Sequence, residues 1–335
     1  MLIELQPDTT QSEKSRLIDR LKKMGFELRE VGDKKLTIVK GVDTLVQIRE
    51  FENLPHVKQV HPIQMRYKLA SRITQNEDTI ISIKGVSIGG GTLFLCAGPC
   101  AIESTEQIRA CAAASRSSGA TALRGGCFKP RTSPYEFQGL GEEGIVLLED
   151  AGKEFGLITI CEVMDALQVD FAADHIDILQ VGARNMQNFT LLKKLGKTKN
   201  PILLKRGFSA TYQELLMAAE YVMSEGNPNV ILCERGIRTF ETYTRNTLDL
   251  SAVPALRELT HLPIIVDPSH GTGVRSLILP MARAAVAAGA DGLMIEIHPD
   301  PDRSISDANQ TINFKEFNRL SQEVKAVHRA INPVR

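Results

Sequence analysis

The feature that most constrains the fold of this chain is an alternation of two sequence patterns that begins at Phe94. Short apolar runs rich in β-branched residues alternate with longer amphipathic segments, and each run ends in glycine, proline or a charged residue. The predicted strands are residues 94–98, 122–125, 157–162, 178–183, 201–205, 230–234, 263–267 and 292–296. The segments between them include predicted helices at 211–225 and 276–288, and a last helix covers about 314–330. Eight successive βα units predict a closed (βα)8 TIM barrel of the α/β class, with an open doubly wound sheet as the alternative.

A smaller pattern precedes the barrel. Residues 1–70 show the order βαββαβ, with strands at 2–5, 26–31, 35–39 and 57–62. Thr10 and Glu13 form a capping box for the first helix, and the second helix is expected at 43–51. This order predicts a small α+β ferredoxin-like domain at 1–70, followed by a barrel domain at 71–335. The barrel domain is expected to begin with a β-hairpin at 79–95, which turns near Gly89, Gly90 and Gly91.

Composition argues against several classes of protein. Lys plus Arg and Asp plus Glu both number 40, so no overall positive field would attract nucleic acid or an anionic membrane. No apolar run approaches the roughly 20 residues of a membrane-spanning helix, and the N-terminus lacks a secretory pattern. The six cysteines contain no CxxC pair, which favours reduced thiols and a cytoplasmic location.

Cationic residues follow several of the predicted strands. Arg124, Arg184, Lys205 and Arg235 each end a different strand, and the carboxyl ends of barrel strands meet on one face. A single cation there could be a solvated strand end. Several like charges directed at one pocket repel one another, so together they indicate a site for anionic phosphate and carboxylate groups.

Three further strand ends offer metal ligands. Cys100, His270 and Glu296 supply sulfur, nitrogen and oxygen donors, a mixture that suits a transition metal better than Ca²⁺ or Mg²⁺. Asp307, in the loop after the eighth strand, is the predicted fourth ligand, and His298 is a competing candidate. His270 taken alone could equally be a general base or a structural histidine.

The loop after the second strand combines cations, hydroxyls and prolines. Two prolines stiffen it, so Lys129, Arg131 and Thr132 could be preorganised around a phosphate, although a rigid surface loop has the same composition.

These motifs together resemble one enzyme family. They are Ala-Gly-Pro-Cys at 97–100, Leu-Arg-Gly-Gly at 123–126, Lys-Pro-Arg-Thr-Ser at 129–133, Gln-Val-Gly-Ala-Arg at 180–184, Leu-Lys-Arg-Gly at 204–207 and Asp-Pro-Ser-His at 267–270. Their order and their positions at strand ends resemble 3-deoxy-D-arabino-heptulosonate 7-phosphate (DAHP) synthase. The family condenses phosphoenolpyruvate with erythrose 4-phosphate and water, releases phosphate and so opens the shikimate pathway to aromatic amino acids.

The resemblance assigns roles to individual residues. It implies a divalent transition metal (Mn, Fe, Co or Zn) on Cys100, His270, Glu296 and Asp307. The residues that resemble the phosphoenolpyruvate site are Arg124, Lys129, Arg184, Lys205 and Arg235. Arg131, Thr132 and Ser133 correspond to the grip on erythrose 4-phosphate, in a loop shaped by Pro130. Glu162 matches an acidic residue near the reacting carbons. Apart from the resemblance, the chemistry of the condensation makes Lys129 a candidate proton donor to the new alkoxide.

Two other functions are compatible with part of this pattern. A sister enzyme uses arabinose 5-phosphate to make an eight-carbon sugar acid on the same barrel, but it carries an asparagine-containing sequence where this chain has Lys129 to Ser133. A catalytically dead ligand sensor would have no need of a complete set of metal and anion residues.

The N-terminal module has no cluster of catalytic residues. In the subgroup that this chain resembles, a ferredoxin-like extension binds an aromatic end product, Tyr or Phe, and covers the barrel mouth to inhibit. The alternative is a stabilising or oligomerisation element. The mixed β pattern disfavours the helical chorismate mutase that other members carry at this end, and the resemblance implies a homotetramer.

Overall fold

The computed structural model describes residues 1–31, 33–40, 50–61, 66–129 and 135–332. The chain divides into two compact units. The first comprises Met1–Glu77 together with Leu259–His261, and the second comprises Asp78–Glu258 and Leu262–Arg335.

The first unit is built on an antiparallel sheet. Its elements are β1 (Leu2–Leu5), α1 (Gln11–Lys23), β2 (Glu27–Val31), β3 (Lys35–Lys40) and β4 (Val57–His61). The strand order is β2-β3-β1-β4, and β1 pairs antiparallel with both β3 and β4. The capping box of Thr10 and Glu13 starts α1, whose Leu17 and Leu21 are buried in the core of this unit. The helix predicted at 43–51 lies almost entirely outside the described residues.

The second unit is a closed parallel barrel of eight strands, as the βα alternation predicted, so the doubly wound alternative is wrong. The barrel strands are β7 (Phe94–Gly98), β8 (Ala122–Arg124), β9 (Ile158–Val163), β10 (Ile178–Val181), β11 (Ile202–Lys205), β12 (Val230–Glu234), β13 (Ile264–Val266) and β14 (Gly292–Glu296). β14 pairs with β7 and closes the circle. Nearly every strand residue is buried, because helices cover the outer face and side chains fill the interior.

The α-helices of the second unit follow the barrel strands. They are α2 (Thr105–Ser117), α3 (Glu142–Phe155), α4 (Val169–His175), α5 (Phe189–Leu195), α6 (Tyr212–Ser224), α7 (Ala252–Leu259), α8 (Pro268–Thr272), α9 (Arg275–Ala287) and α10 (Phe314–Ile331). The three helices predicted from periodicity form within one or two residues of their expected bounds. The short helix α8 was not predicted. Asp267 caps it by accepting from His270 N at 2.9 Å, and Pro268 occupies its first turn.

A hairpin of β5 (Ile81–Ile83) and β6 (Val86–Ile88) precedes the first barrel strand. Its turn was predicted wrongly. The turn is formed by Lys84 and Gly85, whose φ values of 47° and 80° are those of a two-residue hairpin turn, while the glycines at 89–91 come after β6. Ile81 and Ile88 join the core cluster inside the barrel, so the hairpin covers one end of that core.

Two observations concern membrane-spanning helices and disulfide bonds. Within the part of the chain that the structure describes, no helix is both long enough and apolar enough to cross a membrane. All six cysteines are buried and unpaired.

Candidate active site

A cavity of about 220 Å³ opens at the carboxyl ends of the barrel strands. The cationic side chains in its wall are those of Arg124, Lys129, Arg184, Lys205, Arg235 and Arg245. The rest of its wall includes Glu136, Glu162, Phe208, His270 and Asp307. Since its residues come from many strand ends, the barrel itself brings together side chains that are distant in sequence.

A larger groove of about 780 Å³ lies near the amino ends of β9 and β11. Several of its cations have carboxylate partners, for example Lys84 with Asp177 at 2.8 Å and Lys153 with Glu149 at 2.7 Å. This end of a βα barrel contributes to stability rather than to chemistry, so the smaller cavity is the candidate active site.

Four potential metal ligands converge beside that cavity. Donor atoms of Cys100, His270, Glu296 and Asp307 all lie within 4.8 Å of one another. Cys100 Sγ is 3.1 Å from Asp307 Oδ2, and His270 Nε2 is 3.3 Å from Glu296 Oε1. His298 is not in this group. Its Nδ1 lies 2.6 Å from the Asp300 carbonyl, and its Nε2 lies 3.3 Å from Glu103.

The donors of this group fit a cation. Glu296 Oε1 is buried and, in the described part of the chain, has no hydrogen-bond partner. His270 Nδ1 lies 2.7 Å from Asp267 Oδ2, which leaves Nε2 to face the other ligands. Burial lowers the pKa of His270 from its usual value, although Asp267 and Glu296 oppose the shift, and this direction favours the neutral form that can coordinate. A buried, unpartnered carboxylate oxygen beside a neutral imidazole and a thiol is the arrangement that a transition-metal ion would satisfy.

The Cys100 thiol titrates unusually. Burial, reinforced by the nearby charge of Glu296, raises its pKa to about 12. A divalent cation would reverse this balance, because coordination deprotonates a thiol outright.

Polar side chains outside the four ligands hold two of them in place. Gln310 Nε2 donates to Glu296 Oε2 at 2.5 Å, and its Oε1 accepts from Arg245 at 2.7 Å. Arg245 also donates to Asp307 Oδ1 at 3.2 Å. Arg245 and Gln310 were missed in the sequence analysis, because they lie in loops that no periodic pattern covers.

Arg124 and Lys129 reach into the pocket next to Cys100. Arg124 Nη1 donates to the Cys100 carbonyl at 3.0 Å, and its guanidinium lies 3.7 Å from Glu162 and 3.6 Å from Glu296. Burial opposes the charged form of Arg124, but the surrounding Cys100, Glu296 and Glu162 raise its pKa above the usual value. Lys129 Nζ lies 3.1 Å from the same carbonyl and 3.0 Å from Cys100 Sγ. Both cations therefore border the metal-ligand group and the cavity at once.

Lys205 reaches the pocket from β11 and is paired with Asp267. Its Nζ donates to Asp267 Oδ2 at 2.6 Å, the same oxygen that faces His270. Although burial favours the protonated acid, His270 and Lys205 hold the pKa of Asp267 well below its usual value. Asp267 therefore joins the cation pocket to the metal-ligand group. It is part of a motif quoted in the sequence analysis, but its role could not be read from the motif.

Glu162 lies near the end of β9 and also lines the cavity. Its Oε2 accepts from Gln180 Nε2 at 2.8 Å, and Gln180 is completely buried. This contact fixes the carboxylate toward the cavity, and Gln180 too was not singled out from the sequence.

Arg184 and Arg235 face the ring of Phe208, which also lines the cavity. Their guanidinium carbons lie 5.5 and 4.8 Å from the ring centroid. Arg235 donates to the His270 carbonyl at 3.4 Å, and burial lowers its pKa from the usual value. The structure thus gathers the predicted cations around one cavity. The predicted sugar-phosphate residues at 130–133 lie outside the described residues.

Comparison with known proteins places this site in a family. The model of the DAHP synthetase I family matches residues 73–332. The phospho-2-dehydro-3-deoxyheptonate aldolase of Thermotoga maritima is 43% identical over 333 residues, which cover 99% of this chain and 98% of that protein. A crystal structure of the Thermotoga maritima enzyme, also called DAHP synthase, superposes with a TM-score of 0.79 at 42% identity, covering 98% of this chain and 97% of that one.

A second group of relatives is more distant. The 2-dehydro-3-deoxyphosphooctonate aldolases of Syntrophobacter fumaroxidans and Syntrophotalea carbinolica are 29% and 30% identical. Each alignment covers 74% of this chain, and 92% and 95% of the relatives.

A closed βα barrel with a group of potential metal ligands and a cation-lined cavity at its strand ends is typical of an enzyme that acts on phosphorylated substrates. This chain belongs to the DAHP synthetase I family, and its activity is that of a DAHP synthase at the first step of the shikimate pathway. The lower identity of the octonate aldolases favours this activity over that of the sister enzyme.

Proposed function

We propose that the cations of the pocket bind phosphoenolpyruvate while the four-residue group beside them holds the metal. The assignment rests on the convergence of these two clusters, which share Asp267 as a common partner. The residues assigned to the phosphate and carboxylate of phosphoenolpyruvate are Arg124, Lys129, Arg184, Lys205 and Arg235. Guanidinium groups suit these anions because each can donate two parallel hydrogen bonds to a pair of oxygens.

Cys100, His270, Glu296 and Asp307 are the proposed ligands of a divalent transition metal, one of Mn, Fe, Co or Zn. Their mixed sulfur, nitrogen and oxygen donors support this class of ion. When bound, the ion would supply a Lewis acid that polarises the aldehyde of erythrose 4-phosphate.

The condensation requires a bond between two carbons and the transfer of three protons. The methylene carbon of phosphoenolpyruvate attacks the aldehyde carbon, and Lys129 donates a proton to the oxygen that becomes a hydroxyl. The enol carbon is left electron-poor, and water adds to it as Glu162 accepts a proton. In the resulting hemiketal phosphate, the hydroxyl gives its proton to the phosphate as the carbonyl forms and the carbon–oxygen bond to phosphate breaks, so that hydrogen phosphate leaves. Exchange with solvent then removes the proton from Glu162 and returns one to Lys129. The hydrogen bond from Gln180 supports the role of Glu162, because it orients the carboxylate.

Erythrose 4-phosphate is the proposed second substrate, bound by Arg131, Thr132 and Ser133 in the loop that Pro130 shapes. Support for this assignment comes from the motif at 129–133 and from the position of Lys129, which leads into this loop at the edge of the cavity.

The test is an assay of phosphate release with metal-stripped protein. We expect chelation to abolish activity, add-back of one or more transition ions to restore it, and erythrose 4-phosphate to be preferred over arabinose 5-phosphate. Equal turnover of the two sugar phosphates would contradict the substrate assignment. A Cys100→Ala variant with full metal content and full activity would contradict the ligand assignment.

We further propose that residues 1–70 form a ferredoxin-like regulatory domain that binds Tyr or Phe. The antiparallel order β2-β3-β1-β4 supports the fold. A cavity of about 220 Å³ within this unit supports an amino-acid ligand, since Arg16 and Arg20 could pair with a carboxylate and Glu13 with an ammonium group.

A homotetramer in the cytoplasm completes the proposal. The quaternary state is supported by the family resemblance alone, and the location by six buried thiols without a disulfide.

A further inference from the structure

The loop between β11 and α6 places the Phe208 ring among three arginines. The guanidinium carbons of Arg235, Arg238 and Arg184 lie 4.8, 4.9 and 5.5 Å from its centroid. All three distances are within the range of about 6 Å over which a cation is attracted to an aromatic face. The arginines come from the loops after β10 and β12, so one ring contacts the cations of both neighbouring loops.

These arginines differ in their partners from Lys205 and Arg245 of the same cavity. Lys205 pairs with Asp267 at 2.6 Å, and Arg245 pairs with Asp307 at 3.2 Å. Among the residues that the structure describes, no carboxylate oxygen lies within 4.0 Å of the guanidinium nitrogens of Arg184, Arg235 or Arg238. A carboxylate would orient a guanidinium but cancel its charge, whereas a ring orients it and carries no net charge.

The backbone around Phe208 is anchored on both sides. Its carbonyl accepts from Arg238 N at 2.7 Å, which ties it to the loop after β12. Gly207 N lies 3.1 Å from Met186 Sδ in the loop after β10, and Arg206 Nε donates to the Ala210 carbonyl at 2.8 Å. The backbone that carries the ring is therefore held by the loops after β10 and β12, and such anchoring is what a support for other side chains requires.

Phe208 also stands between two cavities. It lines the active-site cavity and a second one of about 320 Å³, and Arg184 borders both. The second cavity additionally contains Arg238 and Gln187. Without the ring, Arg184 would have space to turn away from the active site.

We propose that Phe208 is a positioning residue that holds Arg184 and Arg235 toward phosphoenolpyruvate without neutralising them. The proposal rests on the assignment of those two arginines to phosphoenolpyruvate made above. By this proposal, an uncharged loop residue contributes to the affinity of the enzyme for an anionic substrate.

The test compares Phe208→Leu, which keeps apolar bulk but removes the aromatic face, with Phe208→Tyr, which keeps that face. For Phe208→Leu we expect the KM for phosphoenolpyruvate to rise about tenfold, equivalent to about 1.4 kcal/mol. The KM for erythrose 4-phosphate, the metal content and the melting temperature should stay near their original values, and kcat should change much less than KM. Phe208→Tyr should restore the KM to within about twofold, since its ring offers the same face.

Phe189→Leu is the matched control, because Phe189 stacks on Tyr221 at 4.4 Å and is absent from both cavities. It should leave both KM values unchanged. An unchanged KM for phosphoenolpyruvate in Phe208→Leu, or equal impairment in Phe208→Leu and Phe208→Tyr, would overturn the proposal. Arg184→Gln and Arg235→Gln test separately whether the two arginines bind phosphoenolpyruvate. If they raise this KM while Phe208→Leu does not, only the role of Phe208 fails, and if they do not raise it, the phosphoenolpyruvate assignment itself fails.

Discussion

At the scale of single residues, Asp267 connects the two halves of the active site. One of its oxygens accepts from Lys205 at 2.6 Å and faces His270 Nδ1 at 2.7 Å. The carboxylate therefore orients a proposed metal ligand and a proposed substrate cation together. Because Asp267 is fully buried between two cationic or donor groups, its charge is compensated within the protein.

We expect the hydrogen bonds of Gln310 to strengthen metal binding. Since its amide links Arg245 to Glu296, a Gln310→Ala variant should bind the metal about 10- to 100-fold more weakly, the usual effect of losing an outer hydrogen-bond partner. Competition with a chelator of known affinity would measure the change. Asn309→Ala is the matched control, because Asn309 is the exposed neighbour of the buried Gln310. Equal affinities in the two variants would show that Gln310 does not orient Glu296.

At the scale of elements, side chains in the strands could be predicted from the barrel pattern, whereas loop residues such as Lys129 and Asp307 were found from composition, position and the family resemblance. Arg124, Lys205 and Glu296 lie within strands, where burial and apolar pattern define the register, so their convergence followed from the barrel. Phe208 and Arg245 lie in loops, whose paths depend on tertiary contacts that leave no periodic signal. The hairpin turn was misplaced for a related reason. A run of three glycines is a stronger turn signal than Lys84 and Gly85, yet the pairing of Ile83 with Val86 sets the turn.

A buried ion pair joins the ends of β11 and β12, and we expect its loss to destabilise the protein. Arg206 donates to Glu234 at 2.9 Å and to Asp249 at 2.8 Å, and Glu234 Oε1 accepts from Gly236 N. An Arg206→Met variant leaves the buried carboxylate of Glu234 without its partner. We expect the free energy of unfolding at pH 7 to fall by about 3–5 kcal/mol, measured by denaturation in urea.

The effect of pH on the stability of Arg206→Met provides a control for this prediction. Burial already raises the pKa of Glu234, and loss of Arg206 would raise it further. When the pKa of a carboxyl is higher in the folded than in the unfolded protein, its contribution to the free energy of unfolding is greatest below the unfolded-state pKa. That contribution is lost as the pH rises through the folded-state pKa. The deficit of Arg206→Met should therefore shrink as pH falls from 7 toward 5. Adding Glu234→Gln to Arg206→Met should recover part of the stability at pH 7, and a double variant less stable than the single one would contradict this account.

At the scale of the whole molecule, the family match falls mainly on the second of the two compact units. The family model begins at residue 73, and the octonate aldolases align with 74% of this chain. A truncated form of the Thermotoga maritima enzyme covers 79% of this chain with a TM-score of 0.75 at 44% identity. The four strands and the first helix of residues 1–70 were readable from alternation and periodicity. The cavity between α1 and His56 was not, because it depends on how side chains pack rather than on which face they occupy.

We expect the N-terminal residues and the barrel to have separate functions, regulation and catalysis. If residues 1–70 bind the inhibitory amino acid, their deletion should leave a barrel that releases phosphate from the two substrates but no longer responds to Tyr or Phe. Inhibition curves with each amino acid, measured on the full chain and on residues 71–335, would test this. The full chain with Arg16→Gln and Arg20→Gln is the matched variant, since it keeps the domain but removes the cations of its cavity. It should lose sensitivity to the inhibitor while keeping the original KM values. Equal inhibition of the full chain and of residues 71–335 would refute the regulatory role. Loss of thermal stability on deletion, in a chain that neither amino acid inhibits, would instead assign the N-terminal unit to stabilisation alone.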